Sequence, residues 1–166
     1  MVIERSQRTI RKKLQMARFK KTACILISGK AGIGKTTLAD IMVNQLASYN
    51  VKKFSFASTI KIIARDIFRW NMEKDDAGRA LLQGLGKVGR EYNQDIWVTY
   101  TLNQIESHID YPFDVVVIDD WRYENEAELF KNNPLYQVVR IRVLGESFKP
   151  LDSTLASDVS EVSLYD

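Results

Sequence analysis

The sequence holds little cysteine and little histidine, and its apolar runs are short. A single cysteine excludes an intramolecular disulfide framework, and one cysteine with one histidine argues against a dedicated zinc site. Uninterrupted apolar stretches such as Val115–Ile118 are far too short to span a bilayer. These absences favour a chain that works in the reducing cytoplasm, with no membrane partner.

The overall composition of the chain is that of an ordinary globular protein. The 166 residues are 45% apolar and 27% charged, which excludes a collagen-like chain, a coiled coil and wholesale disorder. This length predicts one domain, or one domain with an arm, and is enough to bury a core without disulfides or a structural metal.

Positive charge is concentrated at the N-terminus. Residues 1–21 hold eight Lys or Arg and one acid, which gives a net charge of +7. The other 145 residues hold sixteen Lys or Arg and twenty Asp or Glu, which gives a net charge of −4. Ile3, Ile10, Leu14 and Ala17 fall near helical spacing among these basic residues. We expect a basic N-terminal helix packed on the body. Contact with nucleic acid or an anionic membrane, and an organelle transit peptide, are the weaker alternatives.

From Thr22 onward, apolar strands alternate with helical patterns. The predicted strands are Ala23–Ser28, Val51–Ala57, Phe113–Ile118 and Gln137–Leu144, and the predicted helices are Lys35–Ser48, Ser58–Trp70, Asp75–Arg90, Asp95–Ile109 and Glu124–Lys131. Four glycines in the third helix predict breaks or close backbone approaches there. The alternation predicts an α/β domain over residues 22–166, with a parallel sheet flanked by helices in three layers.

Residues 29–36 (GKAGIGKT) match the P-loop pattern G-x-x-x-x-G-K-[ST]. Glycines allow a tight turn whose N–H groups wrap an anion, and the helix that follows presents its positive end to the same anion. Lys35 would reach the β- and γ-phosphates of ATP, and the Thr36 hydroxyl is a hard ligand for Mg²⁺. The predicted nucleotide-binding residues are Gly29, Lys30, Ala31, Gly32, Ile33, Gly34, Lys35, Thr36 and Thr37.

Two carboxylates, Asp119 and Asp120, end the third predicted strand. A P-loop protein needs an acid at such a position to order the Mg²⁺ shell, although a strand that simply ends in two turn-forming acids is the plain alternative. Triphosphate binding alone leaves three functions open: phosphoryl transfer to a small molecule, hydrolysis coupled to motion, and a binding module. The arginines favour phosphoryl transfer, since arginine suits bidentate phosphate contact; they are Arg65, Arg69, Arg79, Arg90 and Arg122.

Several longer stretches carry a family resemblance. Residues 29–39 (GKAGIGKTTLA) are similar to the opening of that family, and residues 56–61 (FASTIK) are similar to its pattern F-A-D-P-L-K. Residues 79–98 are similar to its patterns R-x-L-L-Q-x-x-G, V-G-R and D-x-W-V, and residues 118–127 (IDDWRYENEA) to I-S-D-V-R-F-P-N-E-A. Near the end of the chain, Ser160-Glu161 with Leu164 are similar to its pattern H-P-S-E-x-E-L. From Ala23 to Leu164 the chain resembles the phage-type deoxynucleoside monophosphate kinases.

The resemblance implies a P-loop NTPase fold and ATP-dependent phosphoryl transfer to a (deoxy)nucleoside monophosphate. Asp120, aligned with the family's aspartate, would order the metal shell, with Asp119 as second choice. The implied catalytic residues are Lys35, Arg79, Arg90, Arg122 and Asp120; the implied substrate-binding residues are Lys61, Gln83 and Trp97; and the implied metal ligands are Thr36, Asp119 and Asp120. A kinase for another small phosphorylated metabolite, and a non-catalytic nucleotide-binding module with a nucleic-acid-binding arm, are the alternatives.

The chain also departs from the family pattern. Ser58-Thr59 stand where the family has Asp-Pro, and Asp158 stands where it has histidine. Residues 146–166 carry five acids and one base, which makes a poor phosphate lid. We therefore expect the family's last strand and helix to be missing or replaced.

Overall fold

The structure, a computed structural model, describes residues 21–108 and 111–145. The predicted basic helix before residue 21 and the acidic segment 146–166 lie outside the described residues. Within those two ranges the strands are β1 (Thr22–Ser28), β2 (Val51–Phe54), β3 (Val115–Ile118) and β4 (Tyr136–Arg142). The helices are α1 (Lys35–Gln45), α2 (Ser58–Asp66), α3 (Asp76–Tyr92), α4 (Ile96–Glu106) and α5 (Glu124–Lys131).

The four strands form one parallel sheet in the order β2-β3-β1-β4. The central strand β1 pairs on both sides, with Leu26 opposite Ile118 of β3 and Arg140 of β4. Parallel strands covered on both faces are nearly continuous apolar runs, which is the pattern of β3 and of residues 23–27 within β1. Because β1 and β3 are neighbours, the loop after β1 and the acids after β3 meet at one edge of the sheet.

Helices cover both faces of this sheet. On one face a large core packs β1 and β3 against α2, α4 and α5, with Leu26, Trp97 and Phe130 among its buried members. On the other face Ile25, Ile27 and Val117 pack against α1, whose Ala39 is fully buried. The predicted α/β architecture with a parallel sheet between helical layers is confirmed. No helix in the described ranges is long and apolar enough to cross a membrane.

Several elements end earlier than predicted. The strand β2 ends at Phe54 because residues 55–57 turn to bind the carboxylate of Asp120. The helix α2 ends at Asp66 rather than Trp70, since Arg69 (φ 56°) and Met72 (φ 70°) adopt left-handed backbone that an α-helix does not contain. The chain then folds back, and the Trp70 N–H donates to the carbonyl of Ala64 at 3.0 Å.

Of the two alternatives predicted for the glycine-bearing helix, breaks or close approaches, the structure shows close approaches and no break. The helix α3 is continuous from Asp76 to Tyr92, and the Asp75 carboxylate caps it by accepting from Gly78 N–H at 2.7 Å. The glycines let α4 come close: a Cβ at Gly89 would lie 2.3 Å from Cζ2 of Trp97. Packing across the helix pair therefore offsets the low helix propensity of glycine.

Candidate functional site

The predicted phosphate-binding loop joins β1 to α1 and depends on left-handed backbone. Gly34 precedes α1 at φ 96°, and a Cβ there would meet nothing within 4 Å, so conformation rather than space requires glycine. At Gly29 (φ 149°) a Cβ would also lie 2.9 Å from the carbonyl oxygen of Val143. The loop thus has the glycine-dependent turn that an anion cradle needs.

The lysine of this loop lies across it. Lys35 Nζ donates to the carbonyl of Gly29 at 2.5 Å and to that of Lys30 at 2.9 Å. Thr36 follows it in the first turn of α1 and is exposed. Ala31, Gly32 and Gly34 line the same cleft as Lys35 and Thr36. Five of the predicted nucleotide-binding residues therefore face the cleft, whereas Gly29, Lys30, Ile33 and Thr37 are not part of its lining.

The two acids after β3 have different surroundings. The Asp120 carboxylate accepts from the Ser55 hydroxyl at 2.7 Å and from the N–H groups of Phe56 and Ala57, both at 2.9 Å. It therefore ties the β2–α2 loop to the end of β3. Asp119 is only 9% exposed, lines the cleft, and accepts no hydrogen bond on its carboxylate from any described residue. A buried carboxylate without such donors normally requires a cation or water as partner.

Asp119 and Thr36 both line the cleft with hard oxygen ligands, which are the ligand type that Mg²⁺ prefers. In the two described ranges no group of three or more His, Cys, Asp or Glu could hold a metal by itself. A Mg²⁺ ion at this edge would thus take most of its ligands from water and phosphate, as is usual for this ion. The residues fit Mg²⁺ through Asp119 better than through Asp120, whose oxygens already have donors.

The cleft has a volume of about 550 Å³ and runs from the P-loop along α3 to α5. This volume lies within the usual range for small-molecule sites. Every predicted catalytic and substrate-binding side chain lines it, although they come from different elements: Lys35, Lys61, Arg79, Gln83, Arg90, Trp97, Asp120 and Arg122.

Cations are also prominent in the lining of the cleft outside the P-loop. They come from α2 (Lys61), α3 (Arg79 and Arg90), the loop before α3 (Lys74) and the loop after β3 (Arg122). Arg79 Nε donates to the Lys74 carbonyl at 2.9 Å, and the Arg90 guanidinium lies 4.4 Å from the ring centroid of Tyr123. Such convergent cations favour a ligand with several negative charges.

Trp97 is held by packing rather than left open to the cleft. It is 8% exposed, its Nε1–H donates to the Gly86 carbonyl at 3.1 Å, and its ring lies against Gly89. It forms part of the inner wall of the cleft where α3 meets α4.

Sequence reasoning missed two charged residues of the cleft, Lys74 and Glu126. Burial lowers the pKa of Lys74, and the positive charges of Lys61 and Arg79 lower it further. No sequence pattern marks Lys74, because its place depends on how the loop before α3 folds. A pattern does mark Glu126: it occupies the third position of a helix, where a glutamate can reach back to the preceding N–H groups.

Glu126 is buried at 6% exposure and lines the cleft. Its Oε2 accepts from the N–H of Arg122 at 2.8 Å and from that of Tyr123 at 3.1 Å. Burial raises the pKa of its carboxyl to about 8, although these hydrogen bonds act in the opposite direction. Glu126 therefore shapes the backbone that carries Arg122.

No protein-family model matches the chain, and no curated protein matches it. One similar solved structure comes from a study of the PezAT chromosomal toxin-antitoxin system of Streptococcus pneumoniae, with 17% identity and a TM-score of 0.47. The match covers 82% of this chain and 54% of that protein, so the chain spans about half its length. The resemblance to phage-type deoxynucleoside monophosphate kinases stays a prediction.

Proposed function

We propose that this protein transfers the γ-phosphoryl group of ATP to a (deoxy)nucleoside monophosphate, giving the diphosphate. One observation carries the proposal: a P-loop and a wall of cations line the same cleft of about 550 Å³. The P-loop suits the donor triphosphate, and the cations suit an acceptor that already bears phosphate. A module that only binds a nucleotide, with no acceptor, does not need these additional cations in the cleft.

The donor half of the cleft would use the loop N–H groups, Lys35 and Thr36. In this proposal Lys35 exchanges its contacts with Gly29 and Lys30 for the β- and γ-phosphates of ATP. Thr36 and Asp119 would hold Mg²⁺, which neutralises phosphate charge when bound. We favour Asp119 over Asp120 because the oxygens of Asp120 already accept three hydrogen bonds.

The acceptor half would use Lys61, Arg79 and Arg122 to hold the acceptor's phosphate in line with the γ-phosphoryl group. Positioning and neutralisation of charge supply most of the catalysis in such transfers. The attacking oxygen belongs to a phosphate that is already ionised, so no side chain is needed as a strong general base. Arg90, fixed against Tyr123, would stabilise charge on the transferring group.

Two features support a nucleoside monophosphate as the acceptor. The stretches at residues 79–98 and 118–127 resemble those of kinases that use such acceptors. Gln83 also lines the cleft, and its amide could pair with a base edge. Another small phosphorylated metabolite would engage the same cations and is the competing acceptor.

The test is a panel of ribo- and deoxyribonucleoside monophosphates with ATP and Mg²⁺, scored by formation of diphosphate. We expect product with one or a few monophosphates, and a loss of about 100-fold or more in kcat/KM for Lys35→Ala. Lys87→Ala is the matched control, because Lys87 is an exposed lysine of α3 that does not line the cleft. Binding of ATP without product from any monophosphate would refute the proposed acceptor class.

A further inference from the structure

The loop between α2 and α3, residues 67–75, brings a lysine to the cleft. Lys74 lines the cleft together with Lys61, Arg79 and Arg122, which come from three other parts of the chain. The electrostatic neighbours of its ammonium group are these three cations and one acid, Asp119.

Specific contacts hold this loop in place. Trp70 is buried, and its Nε1–H donates to the Glu73 carbonyl at 2.8 Å. The first turn of α3 packs tightly beneath it, since a Cβ at Gly78 would lie 2.3 Å from the Glu73 oxygen and 2.5 Å from Trp70 Nε1. Arg79 Nε binds the carbonyl of Lys74 itself at 2.9 Å. The backbone of Lys74 is therefore anchored to the helix that supplies Arg79.

Cations outnumber acids among the charged groups that act on Lys74. Among residues 21–108 and 111–145, neither Lys74 nor Lys61 forms a salt bridge with an acid. Burial and the neighbouring cations lower the pKa of Lys74, so its charged form is disfavoured there although Asp119 acts in the opposite direction. An anion placed among these four side chains would relieve the repulsion and favour the charged form.

We propose that Lys74 binds the acceptor's phosphate directly and completes, with Lys61, Arg79 and Arg122, a four-cation site for a phosphate dianion. This inference rests on the proposed function for the identity of the acceptor, but the anion site itself depends only on the loop and the cleft. The site takes its fourth cation from a loop outside the stretches that resemble known kinases.

Steady-state kinetics on the full chain test the role in turnover. Lys74→Gln should raise KM for the monophosphate by about tenfold or more, because a charge-assisted contact is lost, while KM for ATP stays within about twofold. Lys74→Arg should retain most of the affinity, since it keeps the charge. Lys87→Gln, an exposed site on α3 outside the cleft, is the matched control and should match the wild type.

Calorimetric titration with inorganic phosphate separates this proposal from the proposed function. Weaker phosphate binding in Lys74→Gln than in Lys87→Gln supports the anion site, whether or not any monophosphate is phosphorylated. If the wild type turns over a monophosphate but Lys74→Gln behaves like Lys87→Gln in both assays, the inference is overturned and the kinase proposal stands. If no monophosphate reacts and both variants bind phosphate equally, both proposals fail.

Discussion

Two glycines of the helix α3 allow the effect of helix propensity on stability to be separated from the effect of packing. Gly84 and Gly89 lie in the same unbroken helix, but a Cβ at Gly84 would meet nothing within 4 Å, whereas one at Gly89 would lie 2.3 Å from Cζ2 and 2.7 Å from Cε2 of Trp97. The two substitutions Gly84→Ala and Gly89→Ala therefore share one change in helix propensity and differ in packing.

The magnitudes follow from these two effects. Alanine stabilises a helix interior by about 1 kcal/mol relative to glycine, so Gly84→Ala should raise the free energy of unfolding by about that amount. At Gly89 the same gain in helix propensity is opposed by overpacking, which costs about 1–3 kcal/mol. We expect a cost at the upper end of this range, because real Cβ atoms essentially never come within 3.0 Å of other heavy atoms. We expect Gly89→Ala to be about 2–3 kcal/mol less stable than Gly84→Ala.

Urea unfolding of both variants, followed by tryptophan fluorescence, measures the difference. With a denaturant slope of about 2 kcal/mol/M, the midpoints should differ by about 1 M or more. Equal midpoints, or a more stable Gly89→Ala, would refute the close approach of α3 and α4. Gly89→Ala should also raise KM for the acceptor, since the displaced Trp97 lines the cleft, whereas Gly84→Ala should not.

Two further predictions concern the acids of the site. Asp119→Asn should abolish most Mg²⁺-dependent turnover with little change in stability. Asp120→Asn should instead lose about 1–3 kcal/mol of stability, because its amide NH2 would face the Ala57 N–H in one orientation and the Phe56 N–H in the other. Activity assays together with urea unfolding distinguish the two variants, and the opposite pattern would favour Asp120 as the metal ligand. Glu126 has a pKa raised by burial from 4.5 to about 8, so the folded state holds this proton more tightly than the unfolded chain and stability should fall as pH rises through that window. Glu126→Gln should remove this component, and a difference between variant and wild type that does not change from pH 5 to pH 8 would contradict the burial of an ionisable group there.

Local patterns were enough to predict much of the fold. The unbroken apolar run of β1 indicated a strand covered on both faces, and the glycine spacing after it indicated the P-loop. The helix α5 begins at Glu124 and ends at Lys131, as predicted, because Asn132-Asn133-Pro134 stop it. These features depend on residues close together in the sequence, where periodicity and turn chemistry act.

The sequence by itself determined the alternation of elements, the phosphate-binding loop and the candidate cations, because each is specified by residue type and spacing. Only the tertiary structure decided that α3 runs unbroken past its glycines and that Gly89 is needed for packing, since the indole of Trp97 occupies the space that a side chain at that position would need. The tertiary structure also separated Asp119 from Asp120, adjacent acids of which only one meets the β2–α2 loop. It placed Lys74 in the cleft through contacts that no local pattern contains. Spacing along a chain constrains local conformation, but which side chains meet across a sheet depends on strand order and on the space left between packed helices.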